Sequence, residues 1–264
     1  MSAGLAIEVE LPGARVAFST RLGGISEGPY ESLNLGILTE DMPARVEENR
    51  GRLARHVGLE PARIAMGWQV HGTDIAGWDG PPSAGRDGFA EPGAELEKVD
   101  GHTTTAPGLG LLVLVADCLP VALAGGGRVA MLHCGWRGLA GGIVGRALTL
   151  FEETPSAAVG PGIGRCCYEV GPEVLAAFAD LDGDAVDSAS LPNRPDGDAN
   201  DSAGVASGRM LDLRAVAEAK LRAGGVERIE HIDLCTACRP DLLFSHRRDR
   251  GVTGRQAGLA WLTG

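Results

Sequence analysis

The chain has 264 residues, 44% of them hydrophobic, which is enough to bury a sizeable core in one large domain or two small ones. No window reaches the unbroken apolar length of a membrane span or a signal-peptide core, so a soluble, cytoplasmic protein is expected. The formal charge of −11, without a stripe of Lys and Arg, argues against DNA or RNA as the main partner and for a small molecule.

Apolar runs of strand length alternate with amphipathic helical stretches, and no internal repeat is present. The pattern predicts mixed α and β structure, and nothing in the chain argues for two domains. "RVAFST" (15–20) reads as a strand that empties into the glycine-rich loop "RLGGISEGPYESLNLG". There Arg21 stands beside Gly23 and Gly24, a guanidinium next to a small backbone nest that suits phosphate or carboxylate, and Asn34 joins this candidate group. Surface salt-bridging is the plain alternative for Arg21.

Asp41 is placed to cap the helix that follows, with Pro43 in its first turn, Val46, Leu53 and Val57 on one face and Gly58 as the stop. "IAMGWQV" then reads as a strand ending at His71-Gly72, and Gly77 to Lys98 as a surface loop. "LGLLVLVADCLPVAL" and "AGGGRVAMLH" form a predicted hairpin. With Gly125-Gly126 as its two-residue turn, Cys118 falls opposite His133, their β-carbons about 4.5–5.5 Å apart. A third glycine leaves the register open by one residue, and Pro120 implies an edge or bulge.

"CGWRGLAGG" leads into a helix through "IVGRALTLFEE", so the His133 segment is a strand-to-helix turn whose amides can meet an anion. "GPGIGRCCYEVGPEVLAAFA" gives a turn and a short helix, and the acidic stretch from Asp180 to Arg209 reads as a mobile excursion. "LDLRAVAEAKLRAGG" is a helix capped by Asp212 and stopped by glycine, followed by the strand "RIEHIDL".

The chemistry concentrates on His71, Cys118 and His133, each near a strand end and beside a glycine or proline. Two imidazoles and a thiolate suit zinc or copper, and three protein ligands leave one position open. The plain alternative for each is a core or edge residue, and nothing in the spacing brings His71 to the other two. The six cysteines read as thiols, ligands or buried small residues rather than a disulfide framework. A lone CxxC supplies only two ligands, so Cys235 and Cys238 read as structural, and the adjacent Cys166 and Cys167 as packing residues or, secondarily, redox-labile thiols. His102 is either a further ligand or a solvent-exposed histidine. "SHRRDR" (245–250) is either a solvated turn or an anion site.

Seven motifs together resemble one family along nearly the whole chain: "STRLGGISEGPYESLNLG", "QVHG", "VADCLPV", "HCGWRGLAGGI", "CCYEVGPEV", "LDL" before a helix, and "CTACRPDLLFSHRRDRGVTGRQAGLAWL". This is the bacterial laccase-domain family of multicopper polyphenol oxidase-like proteins, whose members are described as purine nucleoside phosphorylases and, in some bacteria, as a peptidoglycan editing factor. The resemblance implies a metal site from His71, Cys118 and His133, zinc with copper as the alternative, and an α+β fold, a single domain over 1–264 with a mixed β-sheet flanked by helices, related to the cysteine-hydrolase fold of cytotoxic necrotizing factor deamidases. Arg21 matches an arginine of the family's first motif. Two departures, Cys134 where members carry alanine and "GHTTTAPG" in place of a hydrophobic run, leave open whether Cys134 or His102 adds to the site.

The reaction the resemblance implies is metal-dependent phosphorolysis of purine nucleosides such as adenosine, inosine and 5'-methylthioadenosine, with adenosine deamination as a side activity and nucleoside and phosphate as the partners. Three alternatives stand beside it. They are a peptidoglycan-precursor editing hydrolase with Cys118 as nucleophile and His133 as base, a copper-dependent polyphenol oxidase, and a non-enzymatic zinc-binding module.

Overall fold

Period-two burial along the apolar strands sorts the side chains into separate cores and so defines the layers. The computed structural model describes residues 4–83, 88–89, 96–179 and 209–264. Nearly all of the acidic stretch from Asp180 to Arg209 therefore lies outside the described residues, as does much of the loop from Gly77 to Lys98. Among the described residues, no helix is long and apolar enough to cross a membrane.

Where one mixed sheet was expected, there are two, packed face to face. The first runs β1 (Ala6–Leu11), β2 (Ala14–Ser19), β13 (Gln256–Leu262), β6 (Gly110–Val115) and β3 (Ile64–Ala65), and only β3 lies parallel to its neighbour. The second runs β12 (Ile229–His231), β9 (Ser156–Val159), β7 (Leu119–Gly125), β8 (Arg128–Cys134), β5 (Gly101–Thr104) and β4 (Ile75–Trp78), with parallel pairs at its two edges. A short pair, β10 (Glu169–Val170) and β11 (Arg209–Met210), stands apart.

Val113 and Val115 of β6, Ala122 and Ala124 of β7 and Met131 of β8 meet between the sheets. Their alternates point outward. Leu112 packs with Leu53 of α1 (Pro43–Val57). Leu119, Val121, Leu132 and Cys134 pack against α2 (Trp136–Ala140), α3 (Ile143–Leu148), α4 (Pro172–Ala176) and α5 (Leu213–Ala223). The order across the molecule is thus α1, first sheet, second sheet, remaining helices, each interface built by one face of a strand.

Several local expectations hold. Gly58 ends α1 in the left-handed conformation, and the Asp212 carboxylate accepts the Ala215 N–H at 3.0 Å to cap α5. Others need correction. Met42 is the N-cap residue of α1; Asp41 accepts instead from Ser26 and Asn34, tying down the preceding loop. The strand read in "IAMGWQV" is only Ile64–Ala65, and the helix read in "IVGRALTLFEE" stops at Leu148. The hairpin turn is Gly126-Gly127, both with positive φ, so Pro120 pairs with His133 and Leu119 with Cys134. Pro120 is no edge marker: β7 is an interior strand, and the proline sits at the end of its pairing with β9, which begins at Val121, where a missing N–H is tolerated.

Candidate active site

The corrected register lifts Cys118 off the strand, yet it still meets His133. Cys118 lies in the bend 116–118 that carries the chain from the first sheet to the second, just before β7. On β8, His133 falls on the odd-numbered, inter-sheet face with Met131 and reaches back toward this bend, whereas Cys134 falls on the helix-facing side. Burial pushes the Cys134 thiol far above its ordinary value, and its side is wrong for the site.

His71 arrives from a segment that is extended without being a strand. Gln69 takes the place of a strand partner: its amide nitrogen donates to the Leu114 carbonyl at 2.8 Å and its oxygen accepts the Leu114 N–H at 2.7 Å. The chain then turns through His71 at φ 60. Asp117, beside Cys118, is also left-handed at φ 95 and is held by Thr236, whose hydroxyl donates to Oδ1 at 2.6 Å, and by the Arg247 N–H, which donates to Oδ2 at 2.6 Å. Such conformations cost a non-glycine residue about 1–3 kcal/mol and persist where surrounding bonds over-determine them.

The organising group is Asp100, which the sequence reading missed. It is fully buried just ahead of β5. Its oxygens accept the N–H groups of Val70, His71 and Gly72 at 3.1, 2.9 and 2.6 Å, and Oδ1 lies 2.7 Å from His133 Nδ1. Burial opposes its ionisation, but the His133 bond and these amides hold the carboxyl down at about 2. An ionised carboxylate only accepts, so His133 Nδ1 carries the proton and Nε2 is left to face Cys118. Burial likewise opposes a Cys118 thiolate, yet the His133 charge and hydrogen bonds from His133 and His71 bring that thiol down to about 6. The imidazole of His133 rises to about 9, against its own burial, through the Cys118 charge and the Asp100 bond.

The donor atoms of His71, Cys118 and His133 lie within 4.8 Å of one another, and the two imidazole centroids are 4.8 Å apart. A β-carbon on Gly135 would come 3.0 Å from Cys118 Sγ and 3.1 Å from His71 Cδ2, so only glycine leaves this ground free. The donor set, the clearance and the Asp100 brace behind His133 all fit a borderline-soft divalent ion.

The three side chains lie in a cleft of about 490 Å³. Met66, Trp68, Leu114 and Ile163 give it apolar walls, and His246, Arg247 and Arg255 bring positive or protonatable groups. "SHRRDR" thus contributes to the cleft through His246 and Arg247. The loop group does not. Arg21 donates to the carbonyls of Glu31 at 2.6 Å and Pro240 at 2.9 Å and lies over the Phe244 ring. Gly24 is where a β-carbon would strike the Ser32 carbonyl, and Gly23 adopts φ +88. Asn34 is buried, donating to Gly36, Thr39 and Asp41 and accepting the N–H groups of Gly36 and Arg255. Arg21, Gly23, Gly24 and Asn34 shape the loop behind the cleft and do not line it. The five-residue α2 is likewise too short to build an anion site from its dipole.

His102 is buried, not exposed, and stands outside the group formed by His71, Cys118 and His133. On β5 it faces Met131 between the sheets, and its Nδ1 accepts from Trp78 Nε1 at 3.2 Å. The cysteines hold a larger surprise. Cys166 and Cys167 sit in a turn, where neighbouring side chains need not diverge as they would in a strand, and they meet Cys235 and Cys238 with all four sulfurs within 4.8 Å. The four together can hold a metal. The lone CxxC is completed by a pair some 70 residues away, which explains why its spacing carried no signal.

Two imidazoles and a lowered thiol, braced by a buried carboxylate at the floor of an apolar cleft, define a site for a soft metal ion or a reactive thiolate. The chain belongs to the multi-copper polyphenol oxidoreductase laccase family, whose model matches residues 15–263. It is 40% identical over 257 residues to "Purine nucleoside phosphorylase ORF3" of Streptomyces griseus, covering 94% of each chain. It is 36% identical over 255 residues to "Purine nucleoside phosphorylase YfiH" of Escherichia coli K12, covering 95% of this chain and 94% of that one. Its fold matches the crystal structure of YlmD from Geobacillus stearothermophilus with a TM-score of 0.81 at 33% identity, covering 96% of this chain and 93% of that one.

Proposed function

We propose that this chain is a purine nucleoside phosphorylase, converting adenosine, inosine or 5'-methylthioadenosine and inorganic phosphate into the free purine and a pentose 1-phosphate. The carrying observation is the cleft itself: the His71, Cys118 and His133 donors lie between apolar walls suited to a flat purine and cationic groups suited to phosphate. Relatives named for this activity span the chain nearly end to end.

Phosphorolysis breaks the bond from the purine nitrogen to C1′, with the electron pair leaving on the purine, while a phosphate oxygen bonds C1′. The proton of monohydrogen phosphate ends on the purine, so none is consumed. The chain must hold phosphate in line and keep water out. Arg255 is the best-placed phosphate holder: it is half-buried, lines the cleft, and lies near enough to Asp117 and Cys118 to feel their charges. Arg247 is a second, its guanidinium steadied by the Glu169 carbonyl at 2.8 Å and the Tyr168 ring. Trp68 and Met66 give the purine a surface to stack on. His71, Cys118 and His133 would hold a zinc ion, which would supply Lewis-acid chemistry there. Adenosine deamination, with water in place of phosphate, is the side reaction the same cleft suits.

Base release followed by chromatography with phosphate varied tests the reading. Release should require phosphate and vanish in Cys118→Ala and His133→Ala. Phosphate-independent release, or full phosphorolysis by Cys118→Ala, overturns it.

One observation favours a second reading. Asp100, His133 and Cys118 form a carboxylate–imidazole–thiol relay of the kind that serves a cysteine hydrolase, which suits editing of peptidoglycan precursors. Under that reading a chelator leaves activity unchanged or raises it. Polyphenol oxidation is disfavoured, because among the described residues only two imidazoles share a metal-binding group, too few for the copper cluster that reduces oxygen to water.

A further inference from the structure

A second group of ligating side chains lies outside the cleft and plays no part in the chemistry above. Cys166 and Cys167 come from the connection between β9 and β10, and Cys235 and Cys238 from the segment after β12. Cys238 Sγ stands 3.4 Å from both Cys166 Sγ and Cys167 Sγ, and all four sulfurs lie within 4.8 Å. A disulfide needs about 2.05 Å. Four sulfurs each about 2.3 Å from a central zinc would stand about 3.8 Å apart, within the observed range.

The surroundings are shaped for such a group. Gly164 is placed where a β-carbon would come 3.0 Å from Cys235 Cβ and 3.2 Å from Cys166 Sγ, so a larger residue would crowd the sulfurs. Its N–H donates to Cys235 Sγ at 3.2 Å, the bond a metal-bound thiolate accepts. Both strands of chain are already in register, since Gly162 bridges Cys235 and the Thr236 N–H donates to the Gly162 carbonyl at 3.0 Å.

We propose that Cys166, Cys167, Cys235 and Cys238 bind a structural zinc ion that staples the segment lining the cleft at Ile163 and Tyr168 to the segment after β12. Binding replaces the thiol protons with one divalent cation and leaves four zinc–sulfur bonds with a net charge of −2 on the group. One stapled segment carries Ile163 and Tyr168 into the cleft lining. The other carries Thr236, whose hydroxyl fixes left-handed Asp117 beside Cys118 and whose carbonyl accepts Arg248 Nη1 at 2.8 Å. The ion thus acts on the cleft through Thr236 and Asp117, as a positioning group. None of this depends on which reaction the cleft performs.

Elemental analysis of the full chain, purified anaerobically with zinc, tests the proposal. His71→Ala/Cys118→Ala should retain one zinc equivalent, and Cys166→Ser/Cys238→Ser should carry one fewer than wild type, whatever the cleft itself holds. Cobalt in the His71→Ala/Cys118→Ala variant should give a thiolate charge-transfer band several times stronger than in Cys166→Ser/Cys238→Ser, reflecting four sulfurs against one. Zinc-free His71→Ala/Cys118→Ala protein, or an intact mass showing these cysteines paired as disulfides, overturns it. If the serine variant fails to fold, alkylation of wild-type protein reads the same point. Iodoacetamide should label these four cysteines, located by mass spectrometry, at least tenfold faster after chelation. Equal labelling rates with and without chelator overturn the staple.

Discussion

Asp100 and His133 form the pivot of the cleft, 2.7 Å apart between carboxylate and Nδ1, while the same carboxylate gathers the N–H groups of residues 70–72. One buried side chain therefore sets the tautomer of one candidate ligand and the loop conformation of another. Asp100→Asn keeps the volume but turns one acceptor into a donor, facing either the amides or His133. Zinc affinity should fall about 10- to 100-fold, with kcat falling alongside. Competition titration with a chromophoric chelator measures the first. An Asn variant that binds zinc as tightly as wild type removes the pivot role.

Gly135 has an ordinary extended backbone, φ −78 and ψ 169, so alanine there carries no backbone strain. Its β-carbon meets only Cys118 and His71. Gly135→Ala should therefore leave the thermal midpoint within a few degrees and yet weaken metal binding and activity at least tenfold. A variant that instead unfolds, with its remaining folded fraction fully active, would show that the glycine serves packing.

The two arginines separate by position: Arg255 lines the cleft, its Nη1 also donating to the Thr253 and Gly254 carbonyls at 3.0 Å, and Arg21 does not line it. Arg255→Gln should raise KM for phosphate about tenfold or more, the worth of a charge-assisted bond, with Arg255→Lys recovering part of it. Arg21→Gln gives up bonds to two carbonyls and should cost about 1–2 kcal/mol of stability while leaving KM for phosphate unchanged. The reverse pattern would return the phosphate to the Arg21 loop.

His102 supplies the clearest dependence on pH. Burial holds its imidazole down at about 4, below the 6.5 of an exposed histidine. Between those values the unfolded chain binds a proton that the folded chain refuses, so stability falls as pH drops from 6.5 toward 4. Going from pH 7 to pH 5 this one group should cost about 2 kcal/mol. His102→Gln keeps an acceptor for Trp78 and removes the titration. Denaturant midpoints of both proteins at the two pH values check the difference, and an identical pH response in both refutes it.

Much of this was legible from local pattern. The turn signal at three successive glycines announced the hairpin, and the cap and stop residues of α5 marked its ends. His71, Cys118 and His133 stood out because each lies at or near the end of a strand and near a glycine or proline. The hairpin turn lies one residue further on than expected, which shifts every cross-strand pair by two, because three glycines fit the turn in more than one way. Asp100 was not legible at all: it is one of 35 Asp and Glu, and what distinguishes it is the set of amides from a loop about 30 residues earlier. The cysteine cluster was hidden for the same reason, since neither the adjacent pair nor the CxxC suffices until the fold brings them together. Arg21 misled because a loop arginine beside glycines reads alike whether it holds phosphate or carbonyls.

β13 lies between β2 and β6 in the middle of the first sheet, although it is the last of the described strands. On the ribosome, the hairpin of β1 and β2 emerges early and has no sheet to join until residues 256–262 follow some 240 residues later. Until then β2 and β6 both expose unpaired edges, the kind of surface that recruits other chains. Arg255, immediately before β13, reaches the cleft only at that moment, so a stalled or clipped chain would hold nearly every ligand described above and still have no finished cleft to use them in.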